Sequence, residues 1–192
     1  MKGVSLKDTA EITSGLVINR FIKQKKSSFL NKPSKYYHVT TKSVQDNKIN
    51  LELLEEFESS KMIDERYLLK KGDVLMKLTP PYSAAMVDFV QKNIVFPQNF
   101  AVIRTHKNFD SEYLSHILNS KNVQNQLQRV VEGGALPIIK ISSLNEIKIR
   151  FITLDLQQKY AKLLSLLLKR KELKKRTIEL EELLTEDILS KL

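Results

Sequence analysis

The sequence contains no cysteine, which excludes a disulfide scaffold, a thiolate-ligated zinc site and thiol catalysis together. Glycine is scarce as well: there are five, and the one close pair is Gly133-Gly134. With no G-x-G fingerprint and no phosphate-binding P-loop, cofactor enzymes of the Rossmann and Walker types are set aside. No apolar run approaches the roughly 20 residues that cross a bilayer, and the first dozen residues lack the apolar stretch of a signal peptide. The expectation is a soluble, cytoplasmic protein. His38, His106 and His116 stand at spacings that suit neither a metal site nor a base, and no nucleophile or acidic nuclease cluster is recognisable. No catalytic residue, metal or cofactor is therefore expected.

Acidic residues are also in deficit, 22 against 32 Lys and Arg, for a net charge of +10 on 192 residues. Hydrophobic residues at 42% are enough for a folded core, so this is a folded chain with a polyanionic partner, nucleic acid or an anionic membrane surface. The length suits one globular domain with an appendage.

The positive charge is concentrated in two places. Residues 20–42 hold Arg20, Lys23, Lys25, Lys26, Lys32, Lys35 and Lys42 without one acidic residue, and Tyr36, Tyr37 and His38 lie among them. The polar tract at 23–28 and the Asn-Lys-Pro-Ser at 31–34 read as a loop. Such a loop suits phosphate contacts and a stacking or base-edge contact; a solvated surface loop is the plain alternative. The second cluster, KRKELKKR at 169–176, lies in a segment from about 155 to 192 without Gly or Pro. There Leu156, Tyr160, Leu163, Leu164, Leu167, Ile178, Ile188 and Leu192 fall near one face at helical spacing. This predicts one helix of roughly 36 residues, about 54 Å long, capped by Thr153 or Asp155. The apolar stripe nearly vanishes at 169–177, so an uninterrupted parallel zipper is not supported. The first half is expected to pack on its own domain and the last two turns on a partner helix. The basic patch reads as a solvated face, with DNA or an acidic partner as alternatives.

Ahead of this helix, Ser5-Leu6-Lys7-Asp8 suggests a short helix ending near Gly15. Strands are expected at 36–39, after the Gly72-Asp73 turn, at 86–90, at 94–105 and at 147–152. Residues 52–58 read as a short helix or amphipathic loop. Two helices should follow Asp110, the second running from about 122 to 131 and stopped by Gly133-Gly134. This order gives an α+β fold. Thr79-Pro80-Pro81-Tyr82 imitates an amino-methyltransferase motif, but Thr replaces its first residue and no glycine-rich turn precedes it. A rigid loop is the better reading.

Several strings in order resemble the specificity subunit (HsdS) of type I restriction-modification systems. Leu6-x-Asp8-x-Ala10-x-Ile12-x-x-Gly15 looks like the opening of its target recognition domain, and Tyr67-Leu68-Leu69-x-x-Gly72-Asp73-Val74-Leu75 like its central signature. The strings at 99–104, 113–118 and 133–141 follow, and Leu144-x-x-Ile147-x-Ile149 leads into Gln157-Gln158-Lys159 at the helix start. The family's proline near that start is replaced by Ile152-Thr153-Leu154. A complete subunit has two recognition domains and two long helices, whereas this chain has room for one of each. The resemblance implies a mixed-sheet recognition domain at 1–152 and a spacer and dimerisation helix at 153–192. It implies a non-catalytic subunit that reads half of a bipartite DNA target and docks methyltransferase subunits, and through them a restriction subunit.

Two copies, joined antiparallel through their helices, would replace a full-length subunit as a homodimer. Candidate phosphate contacts are Arg20, Lys23, Lys25, Lys26 and Lys35. Candidates for base-edge readout are Tyr36, Lys77, Tyr82, Ser83, Gln98, Asn99 and Lys140. Leu167, Ile178, Leu184, Ile188 and Leu192 are the candidate partner-helix residues. The competing readings are an interaction module that occupies a methyltransferase groove without reading DNA, and a recognition fragment of a single-chain restriction-methylation enzyme.

Overall fold

The computed structural model describes residues 3–22, 34–45, 47–59, 61–131 and 137–191. In chain order these form β1 (Gly3–Ser5), β2 (Ala10–Ser14), β3 (Ser34–His38), β4 (Val44–Gln45), β5 (Lys48–Ile49) and β6 (Glu55–Ser59). There follow β7 (Val74–Lys77), β8 (Ala84–Met86), β9 (Ile94–Val95), β10 (Phe100–Thr105), α1 (Ser111–Leu118) and α2 (Lys121–Val130). The chain continues through α3 (Ile141–Asn145), β11 (Lys148–Arg150) and α4 (Leu154–Leu189). The fold is α+β, as expected.

Alternation along two central strands dictates the layering. In β7, Val74 and Met76 join Ile103 of β10 and Leu114, Leu118 and Leu127 of the helices in one apolar cluster. The intervening Leu75 and Val102 face the other way, into a second cluster with Val39, Ile94 and Phe96. The antiparallel sheet β2-β10-β7-β8 is thus covered by helices on one face and by the mixed sheet β6-β3-β9 on the other. Cover on both faces explains why Val74, Leu75 and Met76 of β7 are consecutive apolar residues rather than alternating with polar ones. Phe96 and Phe100 are wholly buried, each stabilising the fold by about 1.5–3 kcal/mol.

Four local expectations need correction. Among the described residues no α-helix forms before Gly15: Leu6–Asp8 make a single 3-10 turn between β1 and β2. The Ser5 amide donates to Asp8 Oδ2 at 3.3 Å, so the capping signal is spent within that turn. Gly15 is not a helix cap but a point of close approach, since a Cβ there would lie 2.0 Å from the Pro97 carbonyl oxygen. Residues 52–58 split into a 3-10 turn at Leu51–Leu53 and strand β6. Phe57 there sits opposite Tyr36 of β3, their rings stacked 5.9 Å apart. The strand expected at 86–90 lies earlier, as β8. That expected at 94–105 is two strands in different sheets, because Phe100 N donates to Pro97 O at 2.9 Å and turns the chain between them.

Asp110 caps α1 as expected, its carboxylate accepting from Tyr113 N at 2.7 Å. The Gly133-Gly134 stop lies outside the described residues. Gly72 takes φ +90° at the turn before β7, the left-handed region glycine tolerates. Asp73 beside it is held by Arg104, with Nε at 3.0 Å and Nη2 at 3.1 Å from its two oxygens. The central signature is therefore a structural latch joining β10 to the β7 turn.

Candidate nucleic-acid interface and helix junction

Strand direction brings distant residues to one end of the central sheet. The register pairs Ser14 with Ala101, Lys77 with Phe100 and Met76 with Ala84. The segments after β2, before β10 and between β7 and β8 therefore all leave from the same edge. Leu78 joins them, its amide donating to Asn99 O at 2.8 Å and its carbonyl accepting from Ile139 N at 2.9 Å. Arg20, Ser83, Gln98, Asn99 and Lys140, widely spaced in sequence, sit on these segments. Arg20, Gln98 and Lys140 are exposed, and Ser83 and Asn99 half-buried, the Ser83 hydroxyl donating to Val44 O at 3.3 Å. Lys23, Lys25 and Lys26 lie outside the described residues, but the flanking Ile22 and Ser34 both meet Ser59.

The remaining candidates are placed differently. Lys35 is exposed on β3 and already paired with Glu56 at 2.8 Å. Tyr36 is a core residue at 5% exposure, and its hydroxyl accepts from Ile63 N at 3.2 Å. Lys77 is 3% exposed and donates to the carbonyls of Thr41 and Val44 at 3.2 and 3.5 Å. Burial pushes its ammonium below the usual lysine pKa. Tyr82 is also buried and donates to Pro137 O at 3.4 Å, which fits the rigid-loop reading of its Pro-Pro-Tyr string. The sequence offers these three as base-edge candidates on loops or strand ends; in the structure their polar atoms are engaged inside the fold, positioning the loops. Sequence reasoning passed over Met62, 88% exposed, and Ile138, 50% exposed. Ile138 lies beside Ile139 in the loop cluster, and an apolar side chain there can meet a thymine methyl. Nothing in a single sequence marks a loop isoleucine as exposed.

The long helix is fastened to this body by polar locks. Gln157, fully buried, accepts from Asp110 N at 2.8 Å and donates to Ile152 O at 2.8 Å and Asn108 O at 3.3 Å. Ala161, 1% exposed, packs in the core beside it. One turn further, Ser165 Oγ lies 2.9 Å from His116 Nε2 and 2.5 Å from Glu112 Oε1. On the other side of the ring, Asn47 Nδ2 lies 3.2 Å from His116 Nδ1, and Asn47 Oδ1 accepts from Asn119 Nδ2. An amide nitrogen can only donate, so Nδ1 accepts and the proton sits on Nε2. The hydroxyl of Ser165 accepts it and donates to Glu112. Burial pushes the His116 pKa down, with Glu112 and then Asp110 opposing, and the relay needs the neutral ring. Lys48 pairs with Glu172, and an open groove of about 790 Å³, bordered by Tyr82, Ile117 and Leu167, lies along this junction.

Past Glu172 no described residue of α4 is buried, so about 17 residues, roughly 25 Å, extend beyond the junction. Of the partner-helix candidates, Leu167, Ile178, Leu184 and Ile188 are all about half exposed; Leu192 lies outside the described residues. Among the described residues no group of His, Asp and Glu could hold a metal ion, and no helix is long and apolar enough to cross a membrane.

Comparison with known proteins gives one consistent picture. No curated protein sequence matches the chain. The fold is similar to the HsdS subunit from Thermoanaerobacter tengcongensis, with a TM-score of 0.69 at 19% identity over 91% of this chain and 44% of that one. It is similar to a chain from a structure described as the basis of complex assembly and conformational transition of the type I R-M system, at TM-score 0.68 and 18% identity, over 91% and 44%. It also resembles the type I restriction-modification S subunit from M. genitalium, at TM-score 0.55 and 16% identity, over 89% and 40%. The chain thus spans less than half the length of the solved subunits it resembles. The family model for the type I restriction modification DNA specificity domain matches residues 1–182, nearly the whole sequence, and the chain belongs to that family of specificity subunits.

Proposed function

We propose that this chain reads one half of a bipartite DNA target and carries α4 as spacer and docking surface for methyltransferase subunits, and through them a restriction subunit. Two copies, joined antiparallel through α4, replace a full-length subunit; the chain itself performs no chemistry. The observation that carries this reading is the convergence of Arg20, Ser83, Gln98, Asn99 and Lys140 at one sheet end, on a body from which α4 extends. A two-fold pair presents identical readers in opposite orientation, so the target is an interrupted palindrome. Arg20, Lys23, Lys25, Lys26 and Lys35 contact phosphates, while Ser83, Gln98, Asn99 and Lys140 supply donors and acceptors to base edges.

Duplex DNA titrated at several salt concentrations tests this. Five phosphate contacts per copy give a slope of log affinity against log salt of about −4 to −5 per reader. Joint charge reversal of Lys23, Lys25 and Lys26 should flatten the slope and weaken all sequences alike. No affinity at low salt would sink the reading and favour an interaction module. The methylation motif deposited by the complete complex then reports whether the target is palindromic.

A further inference from the structure

The two sides of α4 differ. Gln157, Ala161, Leu164 and Leu168 turn toward the body and are buried or half-buried. At 3.6 residues per turn, Leu163, Leu166, Arg170, Leu173, Thr177, Leu180 and Leu184 lie about half a turn away, spaced alternately three and four apart. The five leucines of this row are between 49% and 59% exposed. It is a heptad seam, hidden in the sequence because Arg170 and Thr177 occupy two of its apolar places. Charge along the same stretch is divided. Residues 169–176 hold six basic side chains and one acidic, whereas 179–187 hold five acidic and no basic. Local pairs neutralise part of this: Arg176 and Lys175 lie 3.3 and 3.9 Å from Glu179, and Lys191 lies 2.5 Å from Asp187. Among the described ion pairs, Glu181, Glu182 and Glu186 appear in none.

We propose that this seam pairs with the same seam of a second copy, antiparallel, in a register centred between Ile178 and Glu179 and selected by charge. The register and its selection by charge are added to the antiparallel pairing of two copies under Proposed function and rest on it. A parallel pair sets basic against basic and acidic against acidic. Antiparallel pairing one heptad earlier lays 169–176 over 174–181: Lys174 then meets Arg176 and Lys175 meets its own copy, while Glu182, Glu186 and Asp187 face the apolar stretch 163–168 and lose their basic partners. With the centre at 178–179, the basic block of each helix lies on the acidic block of the other, twice over. Leu173 then faces Leu184, Thr177 faces Leu180, and Arg170 faces Asp187, so the polar interruption in the seam meets an opposite charge. Like-charge contact in the alternatives supplies the discrimination.

The absence of cysteine makes the test direct. Full-length Leu173→Cys and Leu184→Cys chains, both altered at exposed positions, are oxidised separately and mixed. The mixture should cross-link efficiently and each chain alone should not. Sedimentation of the unaltered chain should show a dimer that weakens about tenfold or more on raising salt, or when Glu181, Glu182 and Glu186 are all changed to Lys. Adding Lys171→Glu, Lys174→Glu and Lys175→Glu to that variant should restore self-association. A dimer in which Leu173→Cys links to its own kind is parallel and overturns the register while leaving the pairing of copies standing. A dimer indifferent to both charge changes overturns the role of charge. A chain that stays monomeric at all concentrations overturns the pairing itself.

Discussion

Arg104→Met should be among the most destabilising single changes in the body, by about 3–5 kcal/mol, because it strands a buried carboxylate. Asp73 has 6% of its side chain exposed and Arg104 27%. Methionine keeps most of the arginine stem but leaves the carboxylate only the Lys70 amide, 3.0 Å away, and removes the 3.2 Å donor to Leu68 O. The converse change, Asp73→Asn, leaves a cation that can reach solvent and still bond to Leu68 O, and should cost only about 1–2 kcal/mol. The asymmetry comes from the difference in exposure, so the pair of variants is a sharper test than either alone. Urea unfolding followed by far-ultraviolet circular dichroism measures both. In a chain of this size Arg104→Met should lower Tm by roughly 6–20 °C. An Arg104→Met chain within 1 kcal/mol of the parent, or an Asp73→Asn chain equally unstable, would refute the latch.

Other changes probe other joints. Gly15→Ala drives a methyl into the Pro97 carbonyl and should cost about 3 kcal/mol; a stable alanine variant would mean the 15–16 and 96–97 segments can separate. Lys77→Met should lower stability by about 1–3 kcal/mol by depriving the Thr41 carbonyl of its side-chain donor and leaving the Val44 carbonyl only the Ser83 hydroxyl, without changing the salt slope of DNA binding. A slope smaller by about one would instead make Lys77 a phosphate contact. The pKa of His116 is lowered by burial, so below about pH 6.5 the unfolded chain binds more protons than the folded one. This contribution is complete above that pH and declines as pH falls toward the depressed folded value. Urea midpoints between pH 7 and 5 should fall less steeply for His116→Gln, and an unaltered slope would mean the ring is not held neutral by the relay.

What the sequence made legible divides along a physical line. The long helix, α1 with its Asp110 cap, and the Gly72 turn were readable because each is dictated by residues within a few positions of one another. Residues 52–58 were not: their apolar spacing fits a helix, and the pairing of Phe57 with Tyr36, some twenty residues away, makes them a strand. The same reason divides the candidate site. A basic loop advertises its charge to any reader of the sequence, and Gln98, Asn99 and Ser83 advertise turns. Tyr36, Lys77 and Tyr82 carry equally polar groups, but whether such a group faces solvent or a carbonyl depends on which segment folds over it. Thr41 and Val44 over Lys77, and Pro137 over Tyr82, are contacts between segments more than thirty residues apart. The helix seam failed for the opposite reason. Its pattern is local, but Arg170 and Thr177 break a purely apolar period, and it becomes visible only once the face turned toward the body is subtracted. Polar residues in such a seam weaken association and restrict which partner and register can form, so the places where the apolar pattern breaks are the places where specificity is written.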